Sequence, residues 1–218
     1  MPRTARMSVG GMCYHAMSRG NRRETVFHDD VDYQGFLILV ARACEHVPMR
    51  VLGYCLMPNH FHLALWPYED GDMGRWMQRL LTGHVRRYNL RYSITGRIWE
   101  GRFKAPPVQN DEHLIRVLRY IERNPLRAGL VTDPVAWPWS SLRWWRVPGR
   151  PTWLHATDVV LNRDWPKVVA EPQSDAELGA IRCSLHRGAP FGDPSWTRRT
   201  ASELHLEHTL RAIGRPRA

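Results

Sequence analysis

The chain has 218 residues, of which 43% are apolar, enough for one large domain with a hydrophobic core. Its formal net charge is +10, and of its 31 basic residues only Lys104 and Lys167 are lysines. Arginine binds phosphate oxygens through a planar fork, so this surplus favours a nucleic-acid partner. The alternative is a basic protein without such a partner.

Cysteine usage and hydropathy exclude several other classes of protein. The four cysteines form no C-x-x-C pair, which argues against a zinc knuckle and a secreted disulfide scaffold. The first twelve residues lack the apolar core of a signal peptide. The longest apolar run, residues 36–41, is too short to span a membrane. We therefore expect a cytoplasmic protein with no membrane partner.

Four elements are predicted in the first third of the chain. Weak alternation predicts a strand at residues 13–18, and a basic loop containing glycine follows it. Asp29 or Asp30 then caps a helix with apolar residues at helical spacing. Two further strands are predicted at residues 49–57 and 60–66, and the turn Pro58-Asn59 makes them a hairpin-like pair.

The following elements complete an α+β pattern. A long helix is predicted at residues 73–92, followed by an edge strand at 99–108 that Pro106-Pro107 keeps away from the sheet centre. Asn110 or Asp111 caps a helix that runs to about Asn124 and stops at Pro125. This order predicts an antiparallel sheet with helices packed on one face. Residues 1–147 form this domain, and residues 148–218 form a basic C-terminal extension with a role in DNA contact or packing.

Two histidines, His60 and His62, stand two residues apart on the third predicted strand. Side chains at i and i+2 share one face of a strand, so both imidazoles project together and Phe61 projects to the opposite layer. Two imidazoles in this arrangement can bind one divalent ion and leave other positions open, as a catalytic metal requires. The alternative is a pair of hydrogen-bonded strand histidines without a metal.

The helix at residues 110–124 carries a tyrosine outside its apolar stripe. Leu114, Val117, Leu118 and Ile121 form the stripe at 100° per residue, whereas Tyr120 and Asn124 lie one turn apart on the other side. Arginines beside a tyrosine favour its phenolate and can bind a phosphate. The amide oxygen of Asn124 suits Mg²⁺ or Mn²⁺ as a third ligand. A surface phenol is the alternative, but with the histidines the set indicates metal-assisted attack by tyrosine on a phosphodiester.

H-x-H with an apolar middle residue, a later helix with Y-x-x-x-N and this order of elements resemble the HUH single-strand nucleases. More narrowly, the chain resembles the REP-associated tyrosine transposases, relatives of the single-strand insertion-sequence transposases. The resemblance runs from about residue 12 to 145 through MSRGNRRETVFHDDVD, GYCLMPNHFHLALWP, GRIWEGRFKAPPV and YIERNPLRAGLV. The segments RGAPFGDPSW and GRPR (214–217) are also similar to tails in that family.

The resemblance implies a ferredoxin-like core and a metal-dependent reaction on single-stranded DNA. His60 and His62 would hold Mg²⁺ or Mn²⁺, and Asn124 would complete the site where related insertion-sequence enzymes usually have glutamine. Tyr120 would attack phosphorus, form a 5′-phosphotyrosine link and free a 3′-hydroxyl, and a 3′-hydroxyl would later rejoin the strand. The implied targets are palindromic repeats that form hairpins. We expect a monomer rather than a homodimer.

The predicted DNA contacts come from three basic segments. A loop after the first strand offers phosphate or base contacts, and the predicted edge strand interleaves aromatic and basic residues suited to stacking on unpaired bases. Arginines on the tyrosine helix can bind phosphate. Alternatively, these are a solvated loop and a half-buried edge strand. The residues are Arg19, Asn21, Arg22, Arg23, Trp99, Arg102, Phe103, Lys104, Arg116, Arg119 and Arg123.

Two other functions remain open. A DNA-hairpin binding protein that has lost cleavage would share the basic surface, but the presence of both histidines and the tyrosine favours the enzyme. A metal-binding structural protein is disfavoured by the arginine excess. The sequence therefore predicts a single-strand DNA endonuclease and strand transferase, with a non-cleaving hairpin binder as the alternative.

Overall fold

The fold is built on a four-stranded antiparallel sheet. The computed structural model describes residues 8–159 and 161–211. Within these ranges the strands are β1 (Cys13–Arg19), β2 (Met49–Met57), β3 (His60–Pro67) and β4 (Pro107–Val108), in the spatial order β2-β3-β1-β4. All neighbouring strands are antiparallel. The predicted α+β class is confirmed.

Seven α-helices occur in the described ranges, and aspartates begin two of the predicted ones. The Asp29 carboxylate accepts hydrogen bonds from the backbone N–H groups of Val31 and Asp32, and that of Asp111 accepts one from His113. The helices are α1 (Asp30–His46), α2 (Asp72–Tyr92), α3 (Glu112–Glu122), α4 (Asn124–Arg127), α5 (Trp165–Ala170), α6 (Asp175–Arg187) and α7 (Pro194–Glu203). Short 3-10 helices lie at Asn21–Arg23, Pro134–Ala136, Ser141–Trp145 and Glu207–Thr209.

Helices cover both faces of the sheet, so the predicted packing on one face is wrong. Phe61, Leu63 and other side chains of one face pack with α1 and α2 in a first core. Ala64 and Cys55 belong to the other face and pack with α3, α5 and α6 in a second core. The reason is that β1, β2 and β3 carry apolar residues on both faces, so each face needs a cover. His60 and His62 alternate with Phe61 and lie on the face toward α3.

The predicted edge strand at residues 99–108 is at the edge of the sheet but is largely irregular. Only Pro107–Val108 form a strand, while Met17 and Lys104 exchange two backbone hydrogen bonds of 2.8 Å farther along β1. Pro106 and Pro107 have no N–H to donate, and Gly101 has a φ of 64°, so a continuous ladder cannot form.

The C-terminal extension packs against the tyrosine helix and β4. Trp165 and Val169 of α5 are buried in the second core together with Ile181 and Leu185 of α6. The predicted GRPR tail at residues 214–217 lies outside the described residues. No helix in the described ranges has both the length and the hydropathy that a membrane span needs.

Candidate active site

The histidine pair lies on β3, in the interior of the sheet. His62 is 2% exposed and His60 is half-buried, and their ring centroids are 5.1 Å apart. On the neighbouring strand β1, Met17 is opposite His62 and Arg19 is opposite His60. The strand geometry therefore presents both rings on one face, as the alternation predicted.

Each histidine is held through its Nδ1 atom. Nδ1 of His60 is 2.7 Å from Oδ1 of Asn59, whose Nδ2 donates to the carbonyl of Arg23 at 3.0 Å. Since an amide oxygen only accepts, Nδ1 of His60 is the donor and its Nε2 keeps a lone pair. Nδ1 of His62 is 3.0 Å from Nε2 of the buried His15. When His62 is the donor of that bond, its Nε2 also keeps a lone pair, which is the state a metal ligand needs.

Burial keeps these imidazoles neutral. It lowers the pKa of His60 to about 4, and the charges of Arg19 and Arg127 add to the effect. Burial also lowers the pKa of His62 well below its ordinary value, with contributions from His15 and His60. Desolvation and nearby positive charge both disfavour the protonated ring. At neutral pH the two rings are therefore available as neutral ligands.

Tyr120 and Asn124 come from α3 and the turn that follows it. The Tyr120 ring is 5.6 Å from the His62 ring and 5.7 Å from the His15 ring, in edge contacts. Asn124 is 8% exposed, and its Nδ2 has no hydrogen-bond partner within residues 8–159 and 161–211. Pro125 ends α3 before Asn124, which starts a separate short helix. The amide still lies on the same side as the tyrosine.

Tyr120 does not lie among the arginines of its own helix, outside the apolar stripe, as the sequence predicted. Tyr120 is only 7% exposed and belongs to the second core, because the sheet face and the extension enclose α3. The guanidinium beside it is that of Arg127, 4.3 Å from the ring centroid. Nη1 of Arg127 is buried and has no hydrogen-bond partner in the described part of the chain.

All four predicted catalytic and metal-site residues line one cleft of about 400 Å³. Four cationic side chains surround it, and none of the described residues that line it is Asp or Glu. Such a cleft attracts an anion. Its lining residues are Met17, Arg19, His60, His62, Lys104, Tyr120, Asn124, Arg127, Arg182, Leu185 and His186.

Of the predicted DNA contacts, Arg19 and Lys104 line this cleft, and others lie elsewhere on the surface. Asn21, Arg22 and Arg23 form an exposed turn that adjoins Asn59. Arg22 and Arg23 have positive φ angles of 51° and 62°, unusual for residues other than glycine. Arg102 is exposed outside the cleft, and Phe103 is half-buried beside the first core.

Trp99, which the sequence predicted as a DNA contact, is buried. It is 6% exposed and packs against Phe27, Phe36, Phe61 and His84 in the first core. A ring enclosed by these side chains has no free face on which an unpaired base could stack. The segment presents basic side chains, while its tryptophan fills the core.

The predicted contacts Arg116 and Arg119 of α3, and Arg123 directly after it, do not line the cleft. Arg116 pairs with Glu112 at 3.1 Å. Arg119 donates to the carbonyls of Glu171 and Pro172, and Arg123 donates to those of Val169 and Ala170. Arg119 and Arg123 therefore fasten the extension to α3, because backbone carbonyls at the end of α5 are good acceptors for guanidinium groups.

Sequence reasoning did not identify five of the residues at this site. His15 is an isolated histidine in an apolar strand, and only its antiparallel pairing with β3 brings it to His62. Arg127 comes one helical turn after Asn124, and this spacing indicates that the two side chains can lie on the same side of the chain. Arg182 and His186 carry no local signal that links them to residues more than fifty positions earlier. Asn59 precedes the histidine pair, and its sequence context indicates only a turn.

Comparison with known proteins identifies the family. The family model described as "Transposase IS200 like" matches residues 8–124, more than half of the chain. The chain belongs to this family. The resemblance to REP-associated tyrosine transposases that the motifs indicated is confirmed, and so is the prediction of an enzyme.

Curated relatives support the same group within the IS200-like transposases. A protein of Haemophilus influenzae assigned to the REP-associated tyrosine transposases is 27% identical over 143 residues, which cover 61% of this chain and 80% of that protein. The REP-associated tyrosine transposase of Escherichia coli is 22% identical over 135 residues, with 61% and 76% covered.

A solved structure confirms the fold. It is described as the REP-associated tyrosine transposase bound to a REP hairpin, and it matches with a TM-score of 0.57 at 20% identity. The match covers 74% of this IS200-like transposase and 95% of the solved chain.

A divalent metal ion fits the cleft by the chemistry of its donors. Transposases of this family generally depend on such an ion. No group of three or more His, Cys, Asp or Glu that could hold a metal occurs among the described residues. The available set is instead the Nε2 atoms of two imidazoles, whose Nδ1 atoms face His15 and Asn59, and the side-chain oxygen of Asn124. Nitrogen and amide-oxygen donors of this kind suit Mn²⁺ and, less well, Mg²⁺.

Proposed function

We propose that this transposase cleaves and rejoins single-stranded DNA beside hairpin-forming repeats, through a 5′-phosphotyrosine intermediate. The observation that carries the proposal is the meeting of Tyr120 with His60, His62 and Asn124 in one basic cleft. The tyrosine can act as nucleophile, the neutral imidazoles can bind a metal ion, and the N–H groups of Asn124 and Arg127 that lack acceptors within the described ranges can bind the phosphate of a phosphodiester. The basic lining, without carboxylates among the described residues, suits a polyanionic strand.

His60, His62 and Asn124 would hold the divalent ion of this family, which supplies Lewis-acid polarisation of a phosphate oxygen. His15 and Asn59 keep Nδ1 of each histidine engaged, and so direct both Nε2 atoms to the cleft. Mg²⁺ and Mn²⁺ are the ions expected from the sequence.

Tyr120 supplies the nucleophile in this proposal. Its phenolic oxygen forms a bond to phosphorus, the bond from phosphorus to the 3′-oxygen breaks, and the strand leaves a free 3′-hydroxyl. The proton lost by the phenol balances the proton gained by the 3′-oxygen. Attack by a 3′-hydroxyl on the phosphotyrosine then rejoins a strand and releases Tyr120.

Arg127 binds the phosphate during this attack. Its guanidinium lies against the Tyr120 ring, and Nη1 has no acceptor among the described residues. A phosphate oxygen that approaches the tyrosine would provide the missing acceptor. Because charge on the phosphate oxygens changes during the reaction, a fixed donor at this place stabilises the transition state.

The hairpin form of the substrate is supported by the relatives. The solved structure with the same fold is described as bound to a REP hairpin. In this chain Arg19, Lys104 and the exposed turn Asn21–Arg23 would extend the basic surface from the cleft to the duplex part of such a hairpin.

Covalent trapping tests the proposal. The protein is incubated with Mg²⁺ or Mn²⁺ and a labelled pool of single-stranded oligonucleotides that carry a stem-loop with randomised flanks, and denaturing gels report protein–DNA adducts. We expect adducts with the wild type and none with Tyr120→Phe, which keeps the ring and loses the nucleophile. His60→Ala should lower adduct yield far more than affinity. Affinity for the hairpin without any adduct would instead support the non-cleaving binding protein.

A further inference from the structure

Helix α6 brings two polar side chains from the C-terminal extension to the active-site cleft. The family model ends at residue 124, so α6 lies beyond the matched region. Arg182 and His186 are one helical turn apart and exposed, and both line the cleft that contains Tyr120. Leu185, also in the lining, is 4% exposed and packs in the second core. The helix is thus buried on one side and presents a polar edge to the cleft on the other.

Several contacts fix α6 in this position. The carbonyls that accept hydrogen bonds from Arg119 and Arg123 belong to residues 169–172, just before Ser174, the N-cap of α6. After α6, the backbone of Phe191 pairs with the β4 edge through hydrogen bonds with Pro107 and Gln109. The helix is therefore held at both ends by the domain that carries the catalytic tyrosine.

The charge of the cleft indicates what these side chains bind. Arg182 adds a fourth cation to Arg19, Lys104 and Arg127, and none of the described lining residues is acidic. Burial lowers the pKa of Arg127, and the charge of Arg182 lowers it further, although the nearby Tyr120 acts in the opposite direction. Like charges gathered in this way are stabilised when an anion binds between them.

Two buried donors point to the same anion. Nδ2 of Asn124, which is more than nine-tenths buried, and Nη1 of Arg127 have no acceptor within the described residues. Both groups belong to the cleft lining. A buried donor without an acceptor is costly, and phosphate oxygens provide acceptors for several donors at once.

We propose that Arg182 and His186 form a phosphate clamp, through which the C-terminal extension binds the backbone of the single DNA strand that lies over Tyr120. Arg182 supplies charge and paired N–H donors, and His186 supplies a ring N–H donor. The proposed clamp rests on the proposed function, because it describes how the same cleft binds the DNA substrate. The opposing possibility is that α6 blocks the cleft and restrains activity.

The test compares clamp variants with a matched arginine outside the cleft. The full-length variants to be assayed are Arg182→Gln, Arg182→Lys and His186→Ala. The control is Arg198→Gln, at an exposed position of α7. Affinity for a fluorescent stem-loop oligonucleotide with single-stranded flanks is measured in EDTA at several salt concentrations. Single-turnover adduct formation is then measured with Mn²⁺ at saturating DNA, and thermal unfolding checks the fold.

We expect Arg182→Gln to weaken affinity on the order of 10-fold, as for the loss of one charge-assisted hydrogen bond. The slope of log affinity against log salt should fall by about 0.7, the value for one phosphate contact on a single strand. Arg182→Lys should keep that slope, and His186→Ala should lower affinity with little change of slope. Arg198→Gln should match the wild type in both measurements.

Three results would overturn the clamp. One is an unchanged affinity and salt slope in Arg182→Gln. Another is a loss of DNA affinity in Arg182→Gln that is explained by a lower unfolding temperature, with no recovery of affinity in Arg182→Lys. The third is faster adduct formation in both Arg182→Gln and His186→Ala, which would show that α6 blocks the cleft. Failure of the proposed function gives a different pattern, because the wild type itself would then form no adduct while the binding measurements still report on the clamp.

Discussion

His15 offers the sharpest test of how the fold prepares the site, because it contacts His62 but is too deeply buried to reach the substrate directly. It is 1% exposed, and its Nε2 lies 3.0 Å from Nδ1 of His62. A metal ligand at Nε2 requires Nδ1 of His62 to be the donor of this bond, and in that tautomer His15→Leu removes the acceptor and leaves a buried N–H without a partner. That loss costs about 1–3 kcal/mol of folding stability. Removal of a residue that orients a metal ligand typically lowers metal affinity or activity by roughly 10–100-fold.

The assay is a metal titration of adduct formation with a labelled stem-loop oligonucleotide. We expect His15→Leu to raise the Mn²⁺ concentration for half-maximal rate by roughly 10–100-fold while affinity for the oligonucleotide in EDTA stays near that of the wild type. His15→Gln is the matched control, since its side-chain amide can return an acceptor to His62 and restore part of the metal response. An unchanged metal requirement in His15→Leu would refute the view that this hydrogen bond orients His62.

Three further predictions follow from the same geometry. Asn59→Ala should raise the metal requirement by roughly 10-fold, measured in the same titration, because it frees both Nδ1 of His60 and the carbonyl of Arg23. Trp99→Ala should destabilise the protein by about 3–5 kcal/mol in denaturant unfolding, because the ring fills the first core; a loss of DNA affinity with full stability would contradict this. In competition binding at fixed salt, a stem-loop with single-stranded flanks should outcompete a blunt duplex, since a flexible single strand reaches the 7% exposed Tyr120 in its cleft more readily than a rigid duplex does.

Local patterns predicted the parts of the fold that depend on neighbouring residues. The sequence predicts Asp29 or Asp30 as one helix cap and Asn110 or Asp111 as another, and in the structure Asp29 and Asp111 accept the backbone N–H groups. The alternation of His60, Phe61 and His62 predicted which side chains share a face, and the two cores lie on the corresponding sides. These features follow from backbone geometry over a few residues, so a sequence contains them in full.

Features that depend on distant partners were not predictable in the same way. An aromatic ring between basic residues, as at Trp99, gives the same pattern whether it stacks on a base or fills a core. Arg119 and Arg123 look like phosphate ligands until the carbonyls of residues 169–172 are brought to them by the fold. The apolar stripe of a helix does not specify which face of a sheet it covers, and only the fold places α1 and α2 on one face and α3, with the extension, on the other.

Helix α3 connects the active site with the C-terminal extension. Its cleft side carries Tyr120, and a second side binds the extension through Arg119 and Arg123. On a third side, both oxygens of the buried Glu122 accept hydrogen bonds of 2.6 Å, from Oγ of Ser141 and Nε1 of Trp165. Burial of a carboxyl group is costly and raises the pKa of Glu122 to about 7, so these two partners are needed to offset it. The contacts of Arg119 and Arg123 on one side and of Glu122 on another oppose rotation of the helix, and Tyr120 on the cleft side therefore keeps its direction toward the histidines.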